Sequence, residues 1–426
     1  MALTLGFHIV LACLGVGLPV LLLVAEWRYL RTGEPMWRML ARRWSKAFAV
    51  LFAVGAVSGT VLSFELGLLW PRFMGTFGAV IGLPFTLEAF AFFLEAIFVA
   101  VYLYAWDRLS PWAHWWSGVP VAVAGFASAW FVVTANAWMN TPQGFRMEGD
   151  TVVDADPLAA MFNPATGAQT THMIVAAYMV TGFLVASVYA AARLRGRETM
   201  YHRRAMLLGL ALGAVCSPLQ LFVGHWAAQV VAETQPAKFA AMEGQFKTEA
   251  GAPLRIGGMP DEEARVTRYA IEIPGGLSWM AFGDSGAVVQ GLDEFDGDTP
   301  PVTIVHLAFQ FMVAVGTGLV MLSFWAAWRW LKRSQTPDSR VFLWCVVLAG
   351  PLSVLALEAG WVVTEVGRQP WIVQGIMRTS AAVTDMPGVG WSLAAAVLIY
   401  VILTAGTVVV LRHVARVPML EVDRGL

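Results

Sequence analysis

Charged residues are scarce in this chain of 426 residues. Lys, Arg, Asp and Glu together make up 13% of the sequence, whereas hydrophobic residues make up 58% and the mean hydropathy is +0.63. Soluble globular domains carry about 25% charged and about 45–50% apolar residues. A soluble protein of this length has too little interior to hide so much apolar surface. The composition therefore predicts a polytopic membrane protein.

An excess of positive charge is also absent, because 28 Lys and Arg residues are matched by 29 Asp and Glu residues. That balance argues against a nucleic-acid-binding protein, which needs a basic surface. Cysteine is rare as well, and Cys13, Cys216 and Cys345 each lie inside an apolar run. Three such cysteines exclude a disulfide framework and a thiolate metal site. The sequence also has no internal repeat and no glycine-rich phosphate loop.

Long apolar runs are what the chain has in abundance. A hydrocarbon core about 30 Å thick needs about 20 apolar residues per helix. Nine runs of this kind cover residues 6–26, 46–66, 85–106, 116–136, 172–192, 205–228, 304–328, 341–364 and 389–411. We therefore predict an all-α protein whose nine transmembrane helices form a single membrane domain over residues 1–426. The first run lacks a preceding Lys or Arg, so we expect it to be a retained helix rather than a cleaved signal peptide.

Basic residues are concentrated on one side of the predicted bundle. Of the 28 Lys and Arg residues, 19 lie in the loops after the first, third, fifth and seventh runs and in the segment after the ninth. Because basic loops stay in the cytoplasm, the N-terminus is predicted to lie outside and the C-terminus in the cytoplasm. Two long segments, 137–171 and 231–301, then lie outside. Loops longer than about 12–15 residues are usually functional.

Ionisable side chains inside the runs need an explanation, since each costs at least about 2.5–3.5 kcal/mol to insert near the bilayer centre. Those present are His8, Glu65, Glu88, Glu95, His172, His225, His306, Glu358 and Glu365. Most lie in the predicted outer third of the membrane, where headgroups or water would also accommodate them. Imidazole, thioether and carboxylate groups at one depth are, however, ligands of haem iron.

Two of the glutamates are spaced for a shared role. Glu88 and Glu95 are seven residues apart, about two helical turns, so they lie on one helix face. Two carboxylates that face the inside of a bundle favour proton transfer over a purely structural role. Asp107 follows at the cytoplasmic end of the same run, about 18 Å beyond Glu95. Direct transfer over that distance is impossible, so waters and other polar groups would have to bridge it.

Four motifs occur together and in order. They are LEAFAFFLE at 87–95, WDR at 106–108, QPAKFAAME at 235–243 and GWVVTEVGRQPW at 360–371. With these motifs the chain resembles subunit I of the cytochrome bd-type quinol oxidases over essentially its whole length. The resemblance implies a terminal oxidase of a bacterial inner membrane. Such an enzyme oxidises quinol at the outer face and reduces dioxygen to water with cytoplasmic protons, generating a proton motive force without pumping.

The resemblance also implies three haems and at least one partner. By position, His172 and Met312 resemble the axial ligands of a low-spin haem b. His8 and Glu365 resemble the single ligands of two high-spin haems, one a haem b and the other a haem d or a further haem b. Which of them serves oxygen stays open, as does the choice between ubiquinol and menaquinol. A second membrane subunit, subunit II, is implied, and a small accessory subunit stays open.

The remaining site residues take their roles from the same resemblance. Lys238 and Glu243 lie where the quinol-binding loop of the family, 231–301 here, carries its Lys and Glu. Trp361 matches the aromatic residue between haems, and Arg368, one turn beyond Glu365, would neutralise that carboxylate. The residues that match the proton path of the family are Glu88, Glu95, Asp107 and Ser128.

The chain departs from the family pattern at two points. Gln310 stands where the family has an Arg two residues before the Met ligand, so a positive charge beside the low-spin haem is missing and its potential is expected to be lower. The loop after the sixth run lacks the insertion of longer members. It resembles the short-loop, cyanide-insensitive branch, in which haem b can replace haem d.

Two other functions fit the polar residues without the motifs. An ion transporter would use the glutamates as an ion path, but the sequence lacks the inverted repeats and paired broken helices of secondary transporters. A membrane haem electron carrier without oxygen chemistry would have no use for the single-ligand sites at His8 and Glu365. A quinol oxidase is therefore the leading hypothesis.

Overall fold

The computed structural model describes residues 1–295, 297–334 and 337–416. Within these residues, nine helices are long and apolar enough to cross a membrane. They are α1 (Ala2–Thr32), α2 (Pro35–Leu69), α3 (Pro71–Tyr104), α4 (Pro111–Asn140), α6 (Thr166–Leu194), α7 (Met200–Thr234), α10 (Val302–Arg333), α11 (Arg340–Val366) and α13 (Val389–Arg416). The predicted all-α membrane protein with nine spans is confirmed. Arg424, one of the basic residues used to predict orientation, lies outside the described residues.

Short elements fill the loops between the spans. Four are helices: α5 (Pro157–Met161), α8 (Pro236–Glu243), α9 (Gly276–Phe282) and α12 (Thr379–Ala382). Ten strands are β1 (Arg146–Glu148), β2 (Thr151–Val153), β3 (Glu249–Ala250), β4 (Leu254–Ile256), β5 (Met259–Asp261), β6 (Val266–Arg268), β7 (Ile271–Ile273), β8 (Val288–Val289), β9 (Trp371–Val373) and β10 (Met377–Arg378). They form antiparallel pairs β1–β2, β3–β8, β4–β7, β5–β6 and β9–β10. A 3-10 turn covers Leu292–Glu294.

Helix α3 begins much earlier than the predicted residue 85. It starts at Pro71 and runs through Pro84, although an internal proline removes one helix hydrogen bond. Phe73 and Phe77 on the added turns are almost completely buried and pack against Trp138 of α4. Burial of these aromatic rings outweighs the poor helix propensity of the glycines and the proline in this stretch.

The spans pack as a connected bundle. Helix α1 contacts α2, α4 and α6, α3 packs along α4, and α6 packs along α7 and α11. Helix α10 completes the bundle against α7 and α11. Glycines let α6 and α7 approach closely, since a Cβ added at Gly182 would lie 2.4 Å from the backbone nitrogen of Gly213. Helix α13 lies against α2 and α1, and among its described residues only Tyr400 is buried.

Ion pairs join the loops that carry most of the basic residues. Arg42 of α2 donates a hydrogen bond to Asp107 at 2.5 Å, Arg193 donates to Asp338 at 3.0 Å, and Arg204 pairs with Glu34. We call this end of the bundle the basic end and the opposite end, which carries segments 141–165 and 235–301, the loop end. The sequence predicts that the basic end is cytoplasmic.

Candidate haem and quinol site

His8 lies on α1 and faces α2. Its Nδ1 is 3.0 Å from Ser58 Oγ, and a Cβ added at Gly59 would lie 2.9 Å from His8 Cε1. Gly59 therefore makes room for the ring, and the hydroxyl of Ser58 fixes its orientation. A ligating His is usually oriented in this way, by a hydrogen bond to the nitrogen that does not bind the metal. Nε2 is thus the nitrogen that could bind iron.

Glu365 lies in the last turn of α11, and both of its oxygens are engaged. Asn136 Nδ2 donates to Oε1 at 2.6 Å and Arg368 Nη2 donates to Oε2 at 2.5 Å. The structure therefore contains the expected ion pair with Arg368. The Arg368 side chain is 1% exposed, and its Nε and Nη1 have no hydrogen-bond partner in the described part of the chain.

Buried polar atoms without partners indicate that a polar group is missing, because such atoms are rare in native proteins. Besides Arg368, the buried atoms Gln220 Oε1 and Glu358 Oε1 have no partner among the described residues. Arg368 has N–H groups suited to a carboxylate, and the predicted ligand set of His, Met and Glu suits iron. The residues present therefore fit haem with its propionates. Trp361 packs against the apolar cluster that α1 and α6 form beside His8.

His172 and Met312 lie further inside their helices than the apolar runs predict. The runs begin at residues 172 and 304, whereas α6 begins at Thr166 and α10 at Val302. A hydropathy analysis does not detect the polar start of α6. This segment is nevertheless helical, because its hydroxyl groups donate to backbone carbonyls. Thr170 Oγ1 donates to Thr166 O at 2.7 Å, and both threonines are buried.

Glycines face both predicted ligands of the low-spin haem. A Cβ added at Gly224 of α7 would lie 3.4 Å from His172 Cε1, and one at Gly360 of α11 would lie 3.0 Å from Met312 Sδ. Gln220 Nε2 lies 3.2 Å from the ring nitrogens of His172. The helices that carry the pair, α6 and α10, both pack against α7 and α11.

The glutamates of α3 face α4. Ser128 Oγ donates to Glu88 Oε1 at 3.2 Å, and a Cβ added at Gly125 would lie 3.2 Å from Glu95 Oε1. The two glutamates therefore lie on one face of α3, as expected, and Ser128 of α4 contacts this face. Glu95 is 5% exposed.

Asp107 lies in the turn after α3, at the basic end. Arg38 Nη2 and Arg42 Nη2 donate to its two oxygens at 2.8 and 2.5 Å. Partial desolvation acts to raise the pKa of Asp107, but the hydrogen bonds and charges of Arg42 and Arg38 outweigh it and hold the pKa below its usual value. The carboxylate therefore stays ionised at neutral pH.

Lys238 and Glu243 lie on α8, the helix that the 235–243 motif predicts. Both side chains are buried, because α8 packs between α7 and α10. Lys238 Nζ donates to Asn140 Oδ1 at 2.9 Å and to Gln235 Oε1 at 3.1 Å. Desolvation lowers the pKa of Lys238 to about 7. The motif therefore does not form a solvated surface helix.

Glu243 is buried without a partner for its Oε2 among the described residues. Burial raises the pKa of Glu243 to about 8, although the positive charge of Arg255 opposes the shift. This carboxyl group and the Lys238 amine can therefore both change protonation near neutral pH.

A hydrogen-bonded chain links α8 to the end of α11. From Lys238 it passes to Asn140, whose Nδ2 donates to Asn136 Oδ1 at 3.2 Å, and Asn136 then donates to Glu365. The two asparagines were missed in the sequence. The sequence does contain an indication of their role. Two amide side chains four residues apart near the end of an apolar helix need hydrogen-bond partners inside the protein.

His306 and Gln310 on α10 hold the backbone of the loop. His306 is fully buried, with Nδ1 2.9 Å from Met242 O and Nε2 3.1 Å from Gly257 O. Gln310 Oε1 accepts from Gly257 N at 2.9 Å, and its Nε2 donates to Arg255 O at 3.1 Å. The amide at position 310 can make both of these bonds, whereas a guanidinium only donates.

Comparisons with known proteins agree with this geometry. The family model described as cytochrome bd terminal oxidase subunit I matches residues 1–418. The chain belongs to this family. A bd oxidase structure from Geobacillus thermodenitrificans superimposes with a TM-score of 0.90 at 38% identity, covering 98% of this chain and 97% of that one.

Two relatives from Bacillus subtilis match over most of their length. The putative cytochrome bd menaquinol oxidase subunit I is 40% identical over 422 residues, which cover 97% of this chain and 94% of the relative. Cytochrome bd ubiquinol oxidase subunit 1 is 30% identical over 417 residues, covering 94% and 88%.

This cytochrome bd family member is thus a haem-containing subunit of a terminal respiratory quinol oxidase. It is a multi-pass protein of a bacterial inner membrane and part of a multi-subunit enzyme. The two alternative hypotheses, an ion transporter and a haem electron carrier without oxygen chemistry, are therefore not supported.

Proposed function

We propose that quinol is oxidised at the loop end, on the outer face, and that dioxygen is reduced with protons drawn from the basic end. Two quinols release four electrons and leave four protons outside. Four electrons, four cytoplasmic protons and one dioxygen give two waters. Charge is therefore separated across the membrane without a pump.

His172 and Met312 would hold a low-spin haem b, and His8 and Glu365 would each hold one high-spin haem. One of the high-spin groups is a haem b and the other a haem d or a further haem b. When bound, these groups supply the electron transfer and the oxygen-reducing chemistry. The chemistry of the ligands and the unpartnered N–H groups of Arg368 support this assignment.

The observation that carries the proposal is the hydrogen-bonded chain from Lys238 through Asn140 and Asn136 to Glu365. It connects the quinol loop to a predicted iron ligand through direct side-chain hydrogen bonds. Beside it, Glu243 would accept the proton of the quinol hydroxyl, because a general base works best when its pKa lies near the ambient pH.

Protons for oxygen reduction would move along α3. Glu88 and Glu95 would hold them beside the haems, Ser128 would orient Glu88, and Asp107 would mark the entry at the basic end. Trp361 would lie between haems. The common face of the two glutamates toward α4 supports this path.

A second membrane subunit, subunit II, would complete the enzyme. Copurification with this chain would identify it and any small accessory subunit. Rates of oxygen uptake with ubiquinol and with menaquinol would identify the donor.

The proposed function is tested by spectra and oxygen uptake of the purified complex. The reduced-minus-oxidised spectrum should contain one low-spin and two high-spin haems, and carbon monoxide should bind to an open iron site. Quinol should drive oxygen uptake. A complex that contains haem but neither binds carbon monoxide nor consumes oxygen with quinol would refute the proposal.

A further inference from the structure

A line of polar side chains runs along α3 at intervals of seven residues: Glu88, Glu95 and Tyr102. Small residues of α4 face this line. Gly125 lies against Glu95, and a Cβ added at Gly118 would lie 2.9 Å from Tyr102 Cε2. Tyr102 therefore continues the proton path of α3 toward the basic end.

Tyr102 belongs to a buried cluster that joins three helices. Its Oη donates to Glu26 Oε2 of α1 at 2.7 Å, and Glu26 Oε1 lies 2.6 Å from His114 Nδ1 of α4. His114 Nε2 lies 2.9 Å from the backbone oxygen of Tyr102. Exposure of the three residues is between 1% and 3%, so the cluster is sealed from solvent.

The hydrogen bonds fix the number of protons in this cluster. His114 Nε2 faces a carbonyl, which only accepts, so Nε2 carries a proton. Nδ1 faces a carboxylate oxygen at 2.6 Å, so a second proton lies between His114 and Glu26. The pair therefore holds one proton more than a neutral imidazole and an ionised carboxylate would. Its net charge is then zero, as burial requires.

An arginine and a carboxylate lie close to the cluster on the side of the basic end. The Trp106 ring lies 4.0 Å from the His114 ring, and the Arg42 guanidinium of α2 lies over Trp106 at 5.4 Å and donates to Asp107. Other titratable and charged groups on the elements packed around the cluster include Arg38, Glu95, Tyr189 and Tyr201.

We propose that Glu26 and His114 store a shared proton and that Tyr102 passes it to Glu95. This inference rests on the proposed function, because it concerns the protons consumed there. The proton on Glu26 moves to Tyr102 Oη as the phenol proton leaves toward Glu95. His114 then returns a proton to Glu26, and one proton from the basic end restores the pair.

The cluster lies between Asp107 and Glu95, which are too far apart for a single proton transfer. Tyr102 lies five residues before Asp107 and seven after Glu95, or about 7.5 Å and about 10.5 Å along the helix axis. A small cavity beside the phenol is lined by Tyr102, Gly118 and apolar side chains such as Leu22 and Phe48. The step from Tyr102 to Glu95 would therefore need a bridging water outside this apolar cavity.

The test compares two Tyr→Phe variants of the purified oxidase. Tyr102→Phe removes the relay hydroxyl and little volume. Tyr189→Phe is the matched control, since Tyr189 is another phenol near the basic end. It accepts from Trp44 Nε1 at 2.6 Å and has no hydrogen bond to a carboxylate among the described residues. Tyr102→Phe should slow quinol-driven oxygen uptake at least about tenfold, as expected for a lost proton-transfer group. Haem content and reduction of the low-spin haem by quinol should not change.

The pH profile separates a relay from a packing role. If Glu26 relays protons, Glu26→Gln should leave a low rate of oxygen uptake that depends less on pH than the rate of the wild type. The activity of the wild type tests the proposed function, and the difference between Tyr102→Phe and Tyr189→Phe tests the relay. Wild-type turnover and pH profile in Tyr102→Phe, or an equal loss in Tyr189→Phe, would overturn it whether or not Glu26→Gln assembles.

Discussion

At the scale of single residues, each of the predicted iron ligands His8 and Glu365 is hydrogen-bonded to a polar side chain on another helix. His8 and Glu365 stand out because an ionisable group inside an apolar run is costly. Ser58, which orients His8, and Asn136, which donates to Glu365, are ordinary polar residues in sequence and acquire their roles only when helices pack. Glu26 and His114 were overlooked because each lies at the edge of an apolar run, where charge is normally solvated. In the structure both are buried.

Met312→Leu should remove the low-spin haem signal and quinol-driven oxygen uptake, because leucine keeps the volume of methionine but has no sulfur to bind iron. Carbon monoxide binding at the high-spin sites should persist. Met321→Leu on the same helix is the control, since Met321 is 62% exposed. Optical spectra of both variants show whether the low-spin haem needs Met312. A normal low-spin spectrum in Met312→Leu would exclude Met312 as a ligand.

Glu365→Ala should lose one high-spin haem. The change removes the predicted ligand and leaves the buried Arg368 without its carboxylate partner. Haem extraction gives the stoichiometry, and Glu365→Gln separates the two effects, because the amide keeps a hydrogen-bond acceptor for Arg368. Full haem content in both variants would rule out Glu365 as an iron ligand.

At the scale of elements, hydropathy finds each span but misjudges its ends. The runs that predict α3 and α6 omit starts rich in glycine, proline or threonine, which become helical because their side chains are buried or bond to carbonyls. The 235–243 motif predicts α8 well, but the burial of α8 depends on packing against α7 and against α10, which is distant in sequence.

The pH dependence of quinol oxidation should follow Glu243 of α8. The pKa of Glu243 is raised to about 8 by burial, so the group is mostly protonated at pH 7 and becomes an ionised base as the pH rises through 8. Rapid-mixing reduction of the low-spin haem by quinol should therefore accelerate over that range. Glu243→Gln should lose the acceleration, while an artificial electron donor reduces both proteins alike. An unchanged profile in Glu243→Gln would contradict its role as the base.

Anchoring of the loop by α10 should affect quinol affinity more than haem binding. Gln310→Ala removes two hydrogen bonds to the loop backbone, each worth about 0.5–1.5 kcal/mol. The KM for quinol should rise several-fold while the low-spin spectrum keeps its intensity. Loss of that spectrum with an unchanged KM would mean that Gln310 supports the haem instead.

At the scale of the whole molecule, the two ends of the bundle differ in chemistry. The basic end carries Asp107 and the Glu26–His114 pair, and the loop end carries Lys238 and Glu243. The distribution of basic residues in the sequence predicts which end faces the cytoplasm. The shared face of Glu88 and Glu95 predicts the line of the proton path along α3. The buried cluster of Glu26, His114 and Tyr102 on that line follows only from the packing of α1, α3 and α4.

Glu95→Gln should block oxygen reduction while quinol still reduces the low-spin haem, because a buried amide neither takes up nor releases a proton. Oxygen uptake should fall at least about a hundredfold, within the range of general acid–base contributions. Glu65→Gln, at the loop end, is the comparison variant and should keep most of the activity. Equal turnover of Glu95→Gln and wild type would remove Glu95 from the proton path.

The opposite origins of the protons can be measured directly in oriented vesicles that contain the purified oxidase. With quinol and oxygen, one proton per electron should be released on the side of the loop end and one per electron taken up from the side of the basic end. A membrane potential should form at the same time. Release and uptake on the same side, with oxygen consumption but no membrane potential, would contradict the account.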